Sequence, residues 1–592
     1  MRNYTGKSGH GRVRTGLFRI VAMLMCIAMV LSACSGSNGD NPATQGNDSL
    51  ENSTDVNVTE TDNNGQNNDS GSGNNAGAAS STDNYVRPPV IDDSYRNYYE
   101  ICVYSFCDSD GDGYGDLNGV IQKLDYIADM GYTGIWFMPV HPSPSYHKYD
   151  VTDYYGIDPQ YGTLDDMKNL IREAHARDID IILDLVVNHT SSQHPWFEDA
   201  CAQIRANGQP SGKYADWYNF RQGSANGYSV VSGTDWYYEA RFYYGMPDLN
   251  LDNETVRSEI ANIMEYWFDL GVDGFRLDAC TSFYTGSVDK NVKFLNWLAT
   301  TAHELKLDCF LVGEAWENAD GVIRSYYNSG LDSFFIFTAA TGEGSIVEKA
   351  LSFSSQSCGT RFNSLLVTLQ DIYDVGIRSM FLGNHDTARA ASFLRRSMPT
   401  RIKMGAGILA MMPGALFTYY GEEIGMIGNG SDPEKRIAML WDGLNSPGYC
   451  TKTPEGISVT ADSYCFESVA AQEKDPDSIL NYYKGAMRLR NDNPEIARGV
   501  VTPLNGTDGI EASEQLSVTR RSWNGSDIIV VLNLNSSANE TLKIDRSKVG
   551  NVRMTGKLTS GAIEDLGSTA DIVADEDNGI YTMPPYSIII FR

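Results

Sequence analysis

Short apolar runs alternate with amphipathic stretches from about residue 95 to about residue 490. The stretches 164–176 and 256–270 have helical periodicity, whereas the apolar runs resemble buried strands. Such alternation predicts repeated βα units around a parallel sheet. Eight runs have this character, which predicts a closed (β/α)8 barrel. They are Ile101–Phe106, Gly134–Met138, Ile179–Val187, Gly274–Asp278, Cys309–Glu314, Phe334–Phe337, Ser379–Gly383 and Ala415–Tyr420.

Two segments depart from this alternation. Residues 190–252 follow the third predicted strand, are rich in Trp, Tyr, Gly and Asn, and have poor periodicity, which indicates an inserted subdomain. From residue 496 to residue 592, short alternating strands such as Ile528–Leu534 are separated by turns, which predicts an antiparallel β-sandwich. The predicted fold class is therefore α/β: a TIM barrel formed by residues 93–189 and 253–495, with the insertion and a C-terminal β domain.

The N-terminus has the pattern of an export signal. Basic residues precede the apolar run Ile20 to Leu31, which is short for a membrane span and suits a signal peptide. The run ends in Leu31-Ser-Ala-Cys34, which resembles a bacterial lipobox. The resemblance implies that residues 1–33 are removed and that a lipid on Cys34 anchors the exported chain at the cell surface. Ordinary secretory cleavage and an uncleaved anchor are the alternatives.

Composition indicates a flexible segment near the N-terminus and limits the classes of binding partner. Residues 34–92 contain mostly Asn, Gly, Ser, Asp and Thr, which cannot bury enough surface to offset their ordering entropy, so we expect a flexible tether. The net charge of -30 disfavours nucleic acid and anionic lipid as partners, so membrane contact is expected only through the N-terminal lipid.

Three carboxylates stand at the ends of predicted strands, where barrel enzymes hold their catalytic groups: Asp278, Glu314 and Asp386. Converging carboxylates are what glycosidic bond cleavage needs. Arg276 lies two residues before Asp278 and points to the same side of a strand, so it would keep that carboxylate ionised, as a nucleophile requires. Trp316 beside Glu314 would favour the protonated form of a general acid. A structural Arg–Asp pair and a helix-capping Glu are the alternatives.

Two histidines, His189 and His385, also end predicted strands, and we interpret them as hydroxyl-binding groups; structural roles are the alternative. A separate acidic run spans residues 108–116, with glycines between the carboxylates, and such a run can surround a hard cation. Gly119 stands where an EF-hand has its Glu, so a different calcium loop is expected. A solvated acidic turn is the alternative.

Seven motifs occur in the order found in the alpha-amylase superfamily, glycoside hydrolase family 13, and the chain resembles that family over roughly residues 95–590. The motifs are Gly131–Pro139, Asp184–His189, Met246–Asn250, Gly274–Asp278, Val312–Trp316, Phe381–Asp386 and Gly414–Glu423. The resemblance implies a retaining mechanism with Asp278 as nucleophile, Glu314 as acid and then base, and Asp386 as transition-state stabiliser. It also implies that one sugar subsite is lined by Tyr149, His189, Arg276 and His385.

The acidic run is similar to a calcium loop of the oligo-1,6-glucosidase-like branch. That similarity implies structural calcium, with ligands from Asp108, Asp110, Asp112, Asp116 and the carbonyl of Tyr114.

Substrate preference is inferred from three places in the sequence. Met246–Asn250 resembles a group intermediate between oligo-1,6-glucosidases and neopullulanases, whose members are often alpha-amylases. Tyr146 replaces an Asp of the exo-acting relatives, which favours an open cleft and endo action. Ala279–Ser282 replaces a Lys-His pair of many alpha-amylases, which leaves room for transglycosylation.

We therefore expect a monomeric endo-type alpha-amylase that cleaves alpha-1,4 bonds in starch and maltooligosaccharides. A neopullulanase or oligo-1,6-glucosidase-like hydrolase, a 4-alpha-glucanotransferase, and a non-catalytic sugar-binding lipoprotein are the alternatives.

Overall fold

The computed structural model describes residues 85–592, apart from residues 318, 341–344, 353–356, 373, 395–397, 456 and 562–570. The predicted signal peptide, Cys34 and the tether up to residue 84 lie outside the described residues. Within the described part, no helix is both long and apolar enough to cross a bilayer.

Eight parallel strands close into a barrel. With strands numbered along the chain, the barrel begins with β1 (Asn97–Ile101), β2 (Gly134–Phe137) and β3 (Asp180–Leu185). An insertion follows with β4 (Phe220–Gln222), β5 (Tyr228–Val230) and β6 (Trp236–Glu239). The barrel then continues with β7 (Gly274–Leu277), β8 (Phe310–Gly313), β9 (Ser333–Phe335), β10 (Ile377–Phe381) and β11 (Ala415–Tyr419). Parallel pairing of β1 with both β2 and β11 closes the ring, which confirms the predicted fold class.

The first strand was predicted wrongly. It was expected at Ile101–Phe106, but β1 ends at Ile101 and Val103–Ser105 form a 3-10 turn. The reason is that β1 contains Glu100, so its sequence is not a continuous apolar run. Glu100 is nevertheless buried, with only 1% of its surface exposed.

Helices cover the outside of the barrel between its strands. Thr163 and Asp166 form a capping box at the start of the helix Leu164–His175, and Asn253 caps the helix before β7. The main barrel helices are Leu117–Asp129, Leu164–His175, Glu254–Asp269, Val288–Leu305, Asp320–Tyr326, Cys358–Ile372, Pro399–Ala410 and Ile479–Asp492. Shorter helices are Ile346–Ser352, Ala390–Phe393, Asp432–Lys435, Val469–Gln472, Glu495–Arg498 and Arg546–Val549.

The insertion after β3 holds the helix Pro195–Asn207 and a small antiparallel sheet in the order β4-β6-β5. It is joined to the rim of the barrel by an antiparallel bridge between His189 and Asp248. This bridge places the returning segment of the insertion beside His189, which follows β3 and is an expected site residue.

The C-terminal domain consists of two antiparallel sheets with an apolar core that includes Leu516, Val531 and Ile589. Their strand orders are β12-β14-β15-β20-β17 and β13-β16-β19-β18. The strands are β12 (Val500–Pro503), β13 (Ile510–Ala512), β14 (Leu516–Trp523), β15 (Ser526–Asn533), β16 (Glu540–Ile544), β17 (Met554–Thr559), β18 (Val573–Asp575), β19 (Ile580–Met583) and β20 (Ser587–Phe591).

Candidate active site

A single guanidinium joins three carboxylates at the carboxyl end of the barrel. Nη1 of Arg276 lies 2.8 Å from Oδ1 of Asp184 and 2.7 Å from Oδ1 of Asp278, and Nη2 lies 3.0 Å from Oε2 of Glu314. The Arg276 side chain is 1% exposed, so these ion pairs are shielded from water. The two carboxylates predicted as nucleophile and acid therefore lie side by side.

Strand register explains this placement. β7 and β8 pair in parallel with Leu277 opposite Gly313, so the residues that follow, Asp278 and Glu314, leave the barrel at the same level. The N–H of Glu314 donates to the carbonyl of Leu277 at 2.9 Å. Ala279 adopts a left-handed backbone conformation, with φ of 51°, and its N–H donates to Oε2 of Glu314 at 2.9 Å. The acid is thus held by both a side chain and the backbone.

Burial raises the pKa of Glu314 to about 7, although the positive charge of Arg276 acts in the opposite direction. The negative charges of Asp278 and Asp386 add to the rise. A carboxyl group with this pKa is partly protonated near neutral pH, as a general acid must be.

Asp386 is held by two cations. Its Oδ2 lies 2.9 Å from Nε2 of His385, and its Oδ1 lies 2.8 Å from Nη2 of Arg436. Burial favours the neutral acid, but His385 and Arg436 outweigh it and hold the pKa of Asp386 well below its usual range. Burial would lower the pKa of His385, yet Asp386 and Glu100 raise it to about 9. This half of the site consists of charged groups in fixed positions.

Tyr149 forms part of the wall between the two halves. Its hydroxyl donates to Oδ2 of Asp184 at 3.0 Å and accepts from Nε2 of His385 at 2.7 Å. The rings of Tyr149 and His385 are nearly parallel, with centroids 5.5 Å apart. Nε2 of His189 lies 3.2 Å from the carbonyl of Tyr149, and burial lowers the pKa of His189, so it is a neutral donor.

These groups surround a cleft of about 330 Å³. Asp278, Glu314 and Asp386 reach it, whereas Arg276 and His385 are fully buried beneath it. The lining is His147, Tyr149, His189, Phe242, Met246, Asp278, Ala279, Thr281, Ser282, Glu314, Trp316, Asp386, Asp432 and Arg436.

Three residues that hold the site were not among the predicted site residues: Glu100, Asp184 and Arg436. Asp184 opens one of the seven motifs, so a signal for it existed. Glu100 lies in the strand whose position was predicted wrongly, and Arg436 lies in an irregular stretch beyond the eighth strand. Neither has a pattern that connects it to the carboxylates along the chain.

In the acidic loop, the structure brings together three of the predicted ligands. Carboxylate oxygens of Asp108, Asp110 and Asp116 lie within 4.8 Å of one another. Asp112 is not part of this cluster, and its Oδ1 accepts from the N–H of Tyr114 at 2.8 Å. An all-oxygen set of three negative groups fits a hard divalent cation.

The comparisons with known proteins agree with this geometry. The family model described as alpha amylase, catalytic domain, matches residues 100–499. The chain belongs to the alpha-amylase family. The predicted family is thus confirmed, and so is the prediction that the chain is a glycoside hydrolase.

The most similar relatives include enzymes of two specificities. Alpha-amylase 3 of Dictyoglomus thermophilum is 37% identical over 456 residues, covering 75% of this chain and 86% of that protein. An oligo-1,6-glucosidase of Heyndrickxia coagulans is 31% identical over 478 residues, covering 66% and 84%. Among solved structures, Eubacterium rectale Amy13B has a TM-score of 0.77 and 38% identity, covering 85% of this chain and 96% of that one. An alpha-amylase from H. orenii has a TM-score of 0.70 and 33% identity, covering 84% and 99%.

Proposed function

We propose that this family member is a retaining, endo-acting alpha-amylase that cleaves alpha-1,4-glucosidic bonds in starch and maltooligosaccharides. One observation carries the proposal: Arg276 holds Asp278 and Glu314 in one ion-pair network, while the pKa of Glu314 is about 7. An ion-paired carboxylate beside a carboxyl group that is protonated near neutral pH is the pair that retaining glycoside cleavage uses.

The proposed reaction has two displacements. Asp278 attacks the anomeric carbon while Glu314 gives its proton to the departing glycosidic oxygen, and a glycosyl ester on Asp278 forms. Glu314, now ionised, takes a proton from water, and the water oxygen displaces Asp278. Two inversions leave the product in the α configuration. Asp386, kept ionised, accepts hydrogen bonds from sugar hydroxyls and stabilises the positive charge that develops on the ring.

Endo action is supported by the contact at Tyr146. Its hydroxyl accepts from Nη1 of Arg436 at 3.2 Å, where the exo-acting relatives are expected to have a carboxylate. The chain's likeness to Alpha-amylase 3 of Dictyoglomus thermophilum and to the H. orenii alpha-amylase also favours this specificity.

The test is chemical rescue of Asp278→Ala. The variant should lose starch hydrolysis, and added azide should fill the vacated space and attack from the nucleophile's side, forming a β-glycosyl azide from an activated α-maltoside. Asp165→Ala, which removes an exposed carboxylate outside the cleft, should keep its activity and form no azide product. Full starch hydrolysis by Asp278→Ala would disprove the assignment.

Product analysis separates the remaining specificities. We expect a range of maltooligosaccharides from soluble starch. Longer oligomers from maltotriose would instead indicate transfer, and panose from pullulan would indicate neopullulanase-type cleavage.

We also propose that the enzyme binds a structural calcium ion in the acidic loop and acts as a monomer.

We propose further that it is exported and held at the cell surface by a lipid on Cys34. Substitution of Cys34 by Ala should release activity into the medium; retention of activity in the membrane fraction would contradict the lipid anchor.

A further inference from the structure

Exposed aromatic side chains are concentrated around the cleft. Among the aromatic side chains of the described residues, only four have about half or more of their surface exposed: Phe242 (52%), Tyr243 (52%), Tyr244 (62%) and Trp316 (49%). Phe242 and Trp316 line the cleft, and Tyr243 and Tyr244 continue from Phe242 along the insertion. We call Phe242, Tyr243 and Tyr244 the aromatic platform.

The backbone of the platform is fixed although its rings are exposed. The carbonyl of Tyr244 accepts from the hydroxyl of Tyr238 at 2.7 Å, and that of Tyr243 accepts from the N–H of Met246 at 2.8 Å. The carbonyl of Gly245, the residue after Tyr244, accepts from the N–H of Ser192 at 2.8 Å, which ties the loop to the segment after β3. These bonds fix the backbone that carries Tyr243 and Tyr244.

One ring of the platform lines the cleft, and the other two come next along the chain. Phe242 packs against His189, with ring centroids 5.5 Å apart, and the rings of Tyr243 and Tyr244 lie 4.1 Å apart. Phe242 lines the cleft, and Tyr243 and Tyr244 follow it directly along the chain as an exposed pair of rings. A glucan chain that leaves the cleft beside Phe242 can therefore reach two further exposed rings.

The chemistry of the platform suits a sugar chain. Exposed apolar groups that adjoin a binding cleft mark an interaction surface. Aromatic rings offer flat apolar faces for the C–H faces of pyranose rings, and the two Tyr hydroxyls can exchange hydrogen bonds with sugar hydroxyls. Rigid Tyr side chains lose little conformational entropy when they bind.

We propose that the aromatic platform binds glucosyl units beyond those in the cleft, so that this chain selects long α-1,4-glucans over short oligosaccharides. The proposal rests on the proposed function, because the bound polymer is the substrate of the same site.

The test is the ratio of kcat/KM on maltoheptaose to that on maltotriose. In the double variant Tyr243→Ala, Tyr244→Ala the ratio should fall about tenfold, since two stacking contacts are removed. The variant Tyr243→Phe, Tyr244→Phe keeps both rings and should keep most of the ratio. Leu307→Ala, which removes an apolar side chain that is 86% exposed, is the control for loss of exposed apolar surface elsewhere.

A second measurement does not depend on turnover. Calorimetric binding of maltoheptaose to Glu314→Gln should weaken about tenfold when the two Tyr→Ala changes are added. An unchanged ratio and unchanged binding would overturn the platform while leaving the proposed function intact. A wild-type enzyme that binds maltoheptaose through these rings but cleaves neither oligosaccharide would instead count against the proposed function alone.

Discussion

Nδ1 of His385 lies 2.6 Å from Oε1 of Glu100, and both side chains are buried. The contact joins β1 to the loop after β10, across 285 positions of sequence. It stabilises the imidazolium form of His385, which in turn pairs with Asp386. The charge state of a candidate catalytic carboxylate thus depends on a residue of the first barrel strand, which is far from it along the chain.

This pair should give stability a specific pH dependence. The pKa of His385 is raised from about 6.5 in the unfolded chain to about 9 in the fold. Its contribution to stability is therefore fully present below about pH 6.5 and is lost as pH rises through about 9. Glu100→Gln should lower the free energy of unfolding at neutral pH by about 3 kcal/mol and move the loss to lower pH. Urea unfolding between pH 6 and 9.5 measures both effects.

The matched control for that experiment is Glu304→Gln, which changes an exposed glutamate of the helix Val288–Leu305. It should unfold as the wild type does at every pH. Equal pH profiles for Glu100→Gln and the wild type would contradict the assignment.

Activity should fall as pH rises through about 7, because Glu314 must be protonated to act as the acid. Glu314→Gln should reduce kcat/KM on maltooligosaccharides by about a thousandfold and remove this alkaline limb. The loss should be much smaller for a dinitrophenyl maltoside, whose leaving group needs no proton. An alkaline limb that persists in the variant would assign the acid to another group.

Arg276→Lys should be far from conservative. An ammonium group has no planar fork with which to hold Asp184, Asp278 and Glu314 together. Loss of a charge-assisted hydrogen bond from two of them would lower kcat by about a hundredfold or more. Steady-state kinetics measures this effect, and circular dichroism checks that the barrel is intact. Wild-type kcat in a folded variant would show that the bridge has no catalytic role.

The acidic loop should make thermal stability depend on calcium. Chelation should lower the melting temperature of the wild type, since a cation that binds only the folded state stabilises it. Asp110→Asn should abolish this dependence, because Asp110 belongs to the cluster, whereas Asp112→Asn should retain it. Scanning calorimetry with calcium and with chelator measures the difference. The same melting temperature in both conditions for the wild type would exclude a structural ion there.

Tyr146→Asp should shift the enzyme toward exo action. The new carboxylate would lie beside Arg436, with which Tyr146 is in contact, and would close that end of the cleft. Activity on short nitrophenyl glucosides should rise relative to activity on starch. Tyr146→Phe is the control, and it should keep the preference for starch. An unchanged preference in Tyr146→Asp would mean that Tyr146 does not decide the mode of attack.

Much of this protein follows from local sequence. Burial on both faces gives barrel strands continuous apolar runs, so seven of the eight runs overlap their strands in the structure by two to six residues. Asp278, Glu314 and Asp386 could be identified because each stands at the end of such a run or just after it, and parallel strands bring their carboxyl ends to one face. His189 and His385 could be identified in the same way, because they also end predicted strands, whereas Tyr149 was identified only through the family resemblance.

The contacts that set the chemistry were decided only by the tertiary structure. Glu100 was hidden because a buried charge is tolerated only where a partner such as His385 meets it, and that partner lies far along the chain. The position of Arg436 against Asp386 and the exposure of Tyr243 and Tyr244 depend in the same way on how separate segments meet. Sequence alone determined which residue types stand at the strand ends, because that pattern is local. Folding determined the protonation states of Glu314, Asp386 and His385 and the exposure of the aromatic rings beside the cleft. Burial and opposite charges come from distant parts of the chain.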